Sequence, residues 1–382
     1  MLKTRHNPPA ATPSGAREDP RLRVAFKVII VLATIAVALA IALVWRWRGP
    51  GAAPAAPTAN FNSTPTENLI QKKFPYIDFT TIYPGLTATE IDRLQRDCLG
   101  MRYAYAPLVE FAPLPVAGKF LNILPAGYRL GRTAAPWPPA RGELVVFVFG
   151  GSTAMGFGLP DGQTVVSALE GELGRQYPGR TVRCYNFGRG YYFSSQERAL
   201  FESLLVQGLV PHVALFLDGL NDFAYFDGVP QLAPDLFRFT APDQSWPERA
   251  EPSSDAEREQ VVNRVVERYA RNVRLIEAAA KVYGVSSIFV GQPVPFLDFP
   301  GTLKVYPFQS TYREHRLCAW GYDRFKAAGQ TGRFGARFLW CGDAFAATEG
   351  LMYADSIHYS PAGSVALAKC IADRIVEARL LP

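Results

Sequence analysis

Residues 144–158 read LVVFVFGGSTAMGFG. The first six are all Leu, Val or Phe, too short a run for a core helix, and Gly150 and Gly151 stop it. A small-residue turn follows, and then Val165, Val166, Leu169 and Leu173 recur at helical spacing. The pattern predicts a strand buried on both faces, a tight turn and a helix, with Ser152 at the carboxyl end of the strand. Open α/β sheets bind ligands at that edge, which makes this serine a candidate nucleophile. A helix cap is the plainer role for Gly-Ser-Thr in such a place. The stretch is not a G-x-S-x-G elbow, since Ala154 stands where the second glycine would be. It is not a phosphate loop either, since no Gly-Lys-Ser/Thr follows.

Further along, apolar runs at 145–149, 182–187, 213–217 and 287–290 alternate with helical patterns at 165–175, 195–206, 256–283 and 361–380. Apolar strands separated by helices predict an α/β domain over residues 141–382, a doubly wound parallel sheet in three layers. Residues 222–253 and 293–344 fit no regular element and read as insertions forming lids or substrate walls. Their aromatics (Phe223, Tyr225, Phe226, Trp246, Tyr306, Tyr312, Trp320) are candidates either for stacking on sugars or for small cores of their own.

Ahead of that domain the composition changes several times. Residues 1–23 form a basic tail. Residues 24–47 contain a charge-free run at 28–45, apolar except for Thr34, which at ~1.5 Å per residue spans about 27 Å. An uncleaved transmembrane helix is expected there. A cleaved signal peptide is the rival, although such apolar cores are typically only ~7–15 residues long. Lys3, Arg5, Arg17, Arg21, Arg23 and Lys27 precede the run, and only Arg46 and Arg48 follow it closely. The positive-inside rule therefore keeps the amino terminus cytoplasmic and exports the rest, placing the main domain in the periplasm or outside the cell. The chain carries a net charge of +6. Setting aside those flanking residues with Glu18 and Asp19 leaves the remainder balanced, so the excess reflects membrane topology and no nucleic-acid partner is expected. Residues 48–65 are a Pro/Ala-rich linker. Residues 66–140 form an extension packed on the main domain, with one helix starting at Thr87 or Thr89 and ended by Gly100.

The five cysteines show no C-x-x-C pair, and the four histidines are scattered, so no metal site is expected. Cys318 and Cys341 bracket one loop-rich segment and are the candidate disulfide in an oxidising compartment. Cys184 and Cys370 read as core residues.

Three more stretches fall at the same sheet edge. Residues 186–191, NFGRGY, follow the second strand and offer backbone N–H groups. Residues 218–222, DGLND, follow the third and bring the neutral donor Asn221. Residues 355–358, DSIH, lie just before the last helix, which Ser360 caps and Pro361 begins. Alone, each is most simply a turn or a cap. His358 has a carboxylate three residues before it. On a turn, that spacing lets Asp355 hold one ring nitrogen while the other faces a hydroxyl.

Together, Gly151-Ser152, the glycines of 186–191, Gly219-x-Asn221-Asp222 and Asp355-x-x-His358 resemble the four blocks of the SGNH (GDSL-type) hydrolases. The order matches, and the resemblance covers about residue 144 to the carboxyl terminus. The anchor and aromatic extension resemble those of membrane-tethered bacterial members. The resemblance implies the flavodoxin-like form of the doubly wound fold, with Ser152 as nucleophile, His358 as general base and then acid, and Asp355 orienting His358. It also implies an oxyanion hole made by the Ser152 amide, a second-block glycine amide and the Asn221 side chain. Gly190 is the expected glycine and Gly188 the alternative, while counting from Asn186 places Tyr191 there. The first block departs from the family in reading Gly-Gly-Ser-Thr where Gly-Asp-Ser is usual. No cofactor is implied. The expected activity is that of a serine esterase on short-chain acyl or acetyl esters of an envelope glycan or lipid. A polysaccharide O-acyltransferase using the same residues, and a non-catalytic envelope scaffold, are the alternatives.

Overall fold

The computed structural model of the chain describes residues 78–234, 244, 251–297, 302–304 and 313–382. The basic tail, the anchor expected at 24–47, the linker and the start of the extension lie outside these residues, as do Trp246, Tyr306 and Tyr312. Among the described residues no helix is long and apolar enough to cross a membrane.

The opening run forms strand β1, Leu144–Gly150, buried at every position. After it come α1 (Val165–Gln176), β2 (Val182–Asn186), α2 (Ser194–Val206), β3 (Val213–Asp218), α3 (Asp255–Tyr283), β4 (Ser286–Gly291), α4 (Arg313–Gln330), β5 (Phe338–Trp340) and α5 (Pro361–Glu377). The five strands pair in the order β5-β4-β3-β1-β2, and every pairing is parallel. Read from the other edge this is 2-1-3-4-5, the flavodoxin-like order, with its switch point between β1 and β3.

Two cores explain why β1 is apolar without alternation. Val145, Phe147 and Phe149 face the layer that holds α2, α3 and α4. Leu144, Val146 and Val148 face the layer that holds α1 and α5. On the first face the rings of Phe187, Phe149, Phe216 and Phe289 stack in sequence across neighbouring strands, with centroids 5.7, 4.9 and 5.4 Å apart. Such cross-strand aromatic contacts add to area burial and hold the register on which the sheet edge depends.

Residues 293–344 were expected to be irregular, and here the structure corrects the sequence reading. They supply α4 and β5, both part of the central domain. The helical stripe of Leu317, Tyr322, Phe325 and Ala328 is real but interrupted by Gly321 and Gly329. A Cβ on Gly321 would lie 2.3 Å from the Phe223 ring, and one on Gly329 would lie 2.2 Å from the Phe338 ring. Close packing thus requires residues that weaken a helix by about 1 kcal/mol each, and the local signal drops. Strand β5 is only three residues long, too short to show a period. Phe223, Tyr225 and Phe226 are buried, so they are core residues and are not available to stack on a sugar. Trp320 lies partly exposed beneath the Arg258 guanidinium, 4.6 Å from it.

The expected disulfide is also corrected. All five cysteines are free thiols. Cys318 belongs to the core on one face of the sheet and Cys341 to the core on the other, so the sheet itself separates them.

In the extension, a helix at Ala88–Leu99 starts from Thr87, which forms a capping box with Glu90, and closes at Gly100. Further on, the Arg129 amide donates to Asn186 O at 2.8 Å and so covers the free edge of β2. The Arg129 side chain is 1% exposed and enters the turn after β1. It donates to Met155 O at 3.0 Å, to Gly156 O at 2.7 Å and to Leu159 O, and pairs with Asp161 at 2.8 Å. Removing one partner of such a buried pair typically costs about 3–5 kcal/mol. Arg129→Met should lower the urea-unfolding free energy by that order, and a change within error of zero would show that the extension does not brace the turn.

Candidate active site

Beyond β1 the chain makes one helical turn, Ser152–Met155, which ends at Gly156 in the left-handed conformation. There is no space at its start. A Cβ on Gly151 would lie 2.3 Å from Asn221 Nδ2 and 3.1 Å from Tyr192 O. On the opposite flank, a Cβ on Gly188 would lie 2.3 Å from Met155 N. At the switch point the segments following β1 and β2 therefore meet backbone to backbone, and the segment following β3 meets them through the Asn221 side chain.

Residues from the far end of the chain meet this turn. His358 Nε2 lies 2.8 Å from Ser152 Oγ, and His358 Nδ1 lies 2.7 Å from Asp355 Oδ2. The other carboxylate oxygen accepts from the amides of Ile357 and His358 at 2.8 and 2.6 Å. Desolvation pushes the Asp355 carboxyl up, but the His358 ring and these hydrogen bonds outweigh it and hold the group below the ordinary aspartate value. With Asp355 ionised, the network assigns the imidazole proton to Nδ1 and leaves Nε2 to accept from the serine hydroxyl. Phe157 packs against the ring at 4.7 Å. The side chains of His358 and Asp355 remain 15% and 38% exposed, and Ser152 is partly exposed as well.

Around Ser152 stand several donors. Asn221 Nδ2 donates one hydrogen to Tyr192 O at 2.7 Å, and the other has no acceptor among the described residues. The Ser152, Gly190 and Tyr191 amides make no hydrogen bond among the described residues. Gly188, the alternative donor, is committed to Asn186 Oδ1 at 3.0 Å, so its amide is not free. Tyr191 has a φ of 68°, a region a bulky residue seldom enters, and lies where counting from Asn186 expects a glycine.

Beneath the turn lies a polar group in which Glu197 and Gln292, not singled out from the sequence, join Asp218 and Asp222. Thr153 Oγ1 donates to Gln292 Oε1 at 2.9 Å. These two line a polar cavity of about 10 Å³ with Gly151, Glu197, Asp218 and Asp222, room for about one water. Glu197, Asp218 and Asp222 are all buried. Arg268 is the guanidinium beside them, 3.9 Å from Asp222. Burial pushes all three carboxyls up, and the neighbouring Asp218 pushes Glu197 further. The signal was present in α2, where Glu197 interrupts the buried stripe of Phe193, Leu200, Phe201 and Leu204. His212, by contrast, is structural: its Nδ1 accepts from the Val145 amide at 3.1 Å.

No protein-family model matches the sequence, and no curated protein matches it. Among solved structures, an alpha/beta hydrolase enzyme from the metagenome of Lake Arreo, Spain, is 17% identical; the match covers 62% of this chain and 96% of that one, with a TM-score of 0.35. An acetylxylan esterase from Geobacillus stearothermophilus is 15% identical over 61% of this chain and 95% of that one, with a TM-score of 0.37. Both likenesses are distant, and the chemistry of the site is argued from its own atoms.

The raised carboxyls make stability depend on pH. A carboxyl whose pKa is higher in the folded chain stabilises it fully below the unfolded value of ~4.3, and loses that contribution as pH rises towards the folded value. Glu197→Gln removes one such group. Its melting temperature relative to wild type should therefore rise between pH 5 and pH 8. A constant difference across that range would mean that Glu197 ionises in the folded chain as it does in the unfolded one.

Proposed function

We propose that the chain is a membrane-anchored serine esterase of the SGNH (GDSL) type, cleaving short-chain acyl or acetyl esters of an envelope glycan or lipid. The observation that carries this reading is the line from Asp355 through His358 to Ser152, in which both ring nitrogens are engaged at 2.7 and 2.8 Å. A carboxylate on Nδ1 fixes the tautomer, and the free lone pair on Nε2 then draws the serine proton. As Ser152 Oγ bonds to the ester carbonyl carbon, its proton passes to His358 Nε2 and the carbonyl oxygen becomes an oxyanion. The Asn221 amide and the unengaged Ser152 and Gly190 or Tyr191 amides are the donors suited to hold that charge. Collapse expels the alcohol, which takes the proton from His358. Water then repeats the sequence on the acyl-enzyme and releases the acid. Tight packing against Gly151 and Tyr192 keeps Asn221 in place, so little reorganisation is needed as charge develops.

Residues 24–47 are the proposed anchor. The basic flank ahead of them supports a cytoplasmic amino terminus and an exported catalytic domain.

The test uses p-nitrophenyl acetate and the full-length chain. Ser152→Ala should abolish turnover, and Asn221→Ala should lower kcat by ~10²–10³ with little change in KM, the usual loss for one oxyanion donor. Undiminished hydrolysis by Ser152→Ala would refute the assignment of the nucleophile. Full activity in Asn221→Ala would refute the assignment of the hole.

A further inference from the structure

A second cavity lies away from the serine, between the extension and α2. It has a volume of about 350 Å³, within the range of ~300–1,000 Å³ usual for small-molecule sites. Most of the residues lining it are of apolar type, with Val109, Leu124, Trp137, Leu200 and Leu204 among them, and polar atoms share the surface they present. One charged residue lines it, Arg189, and no carboxylate does among the described residues.

Arg189 is 6% exposed and takes part in no ion pair among the described residues, an unusual state for a buried charge. Its Nη1 donates to the Tyr192 hydroxyl at 2.9 Å, and the guanidinium lies 5.3 Å from that ring. Its Nε is buried with no hydrogen-bond partner among the described residues. Nη2 makes no hydrogen bond among the described residues and faces Gly127, another wall residue, where a Cβ would come within 3.2 Å of it. Nη2 is thus the guanidinium nitrogen left to make a charge-assisted hydrogen bond with a carboxylate or phosphate, while Nε lies sealed behind it. A side chain at position 127 would cover Nη2, and glycine leaves it uncovered.

We infer that this pocket is a binding site for an anionic amphiphile, its carboxylate or phosphate on Nη2 of Arg189 and its apolar chain against Leu200, Leu204 and Trp137. Charge and shape both point to that class. An uncharged apolar ligand would leave the buried guanidinium unpaired, and a free inorganic anion would leave the apolar walls unfilled. Arg189 also carries the amide that donates to Gly150 O at 2.9 Å, so a bound anion would tether the loop running from Gly188 to Tyr191 beside Ser152. Binding itself does not depend on the esterase reading.

The test is calorimetric titration of the full-length chain with octanoate, octyl phosphate and octanol below their aggregation limits, with the protein-free titration as blank. At least one anion should bind saturably at one site, and roughly tenfold or more tighter than octanol, as a charge-assisted pair implies. The tighter anion identifies the head group, fatty-acid-like or phospholipid-like. Arg189→Gln should abolish the preference for the anion. Ser203→Phe, which adds a ring at the wall from the partly exposed side of α2, should weaken all three ligands while melting like wild type. Should Arg189→Gln fail to fold, the octanol comparison and Ser203→Phe still decide. Octanol binding as tightly as both anions, undiminished binding by Ser203→Phe, or no saturable binding would overturn the inference.

Discussion

The site depends on a steric constraint, the lack of room for a single carbon atom at Gly151. The turn after β1 passes so close to Asn221 that a Cβ there would lie 2.3 Å from the amide nitrogen, and Gly188 presses as closely on Met155 from the other flank. Protein interiors are packed densely enough that such contacts leave few alternatives. Fixing that turn places Ser152 under His358 and holds Asn221 against Tyr192 O at once. Three chain segments separated by long stretches of sequence thus become one rigid edge. Preorganisation of this kind is what stabilising a transient oxyanion requires.

Around that edge the electrostatics are uneven. Arg129 arrives from the extension and satisfies the carbonyls that the short helical turn leaves open. Behind the turn, Glu197, Asp218 and Asp222 share a buried space with Arg268, and burial favours their neutral forms. Asp355 is the opposite case, a carboxyl kept ionised by its histidine and by two amides. Environment alone separates these carboxyls into a structural group and one that can hold an imidazolium.

Much of this was legible from the chain itself. The β1 run, the glycines after it, and the Asp355–His358 spacing are local patterns with local causes, and they meet where the strand ends predicted. What escaped was set by tertiary contact. Helix α4 was hidden because Gly321 and Gly329 exist to admit the Phe223 and Phe338 rings, partners distant in sequence. Glu197 breaks the apolar stripe of α2, which marks it as unusual, but the two aspartates beside it come from the end of β3 and the segment after it, and their meeting is visible only in the fold. The separation of Cys318 from Cys341 by the sheet likewise depends on which face each element covers. Gly188 was an open alternative as a donor until its amide was found bound to Asn186 Oδ1.

The central claim is that the Ser152 hydroxyl is activated by His358 across the 2.8 Å hydrogen bond between them. The most direct measurement is the intact mass of the full-length chain after treatment with a fluorophosphonate, followed by peptide mapping. One adduct per chain on Ser152, formed much more slowly in His358→Ala, is the expected result. Labelling spread over other serines, or equally fast on Ser152 without His358, would contradict an activated nucleophile at this turn.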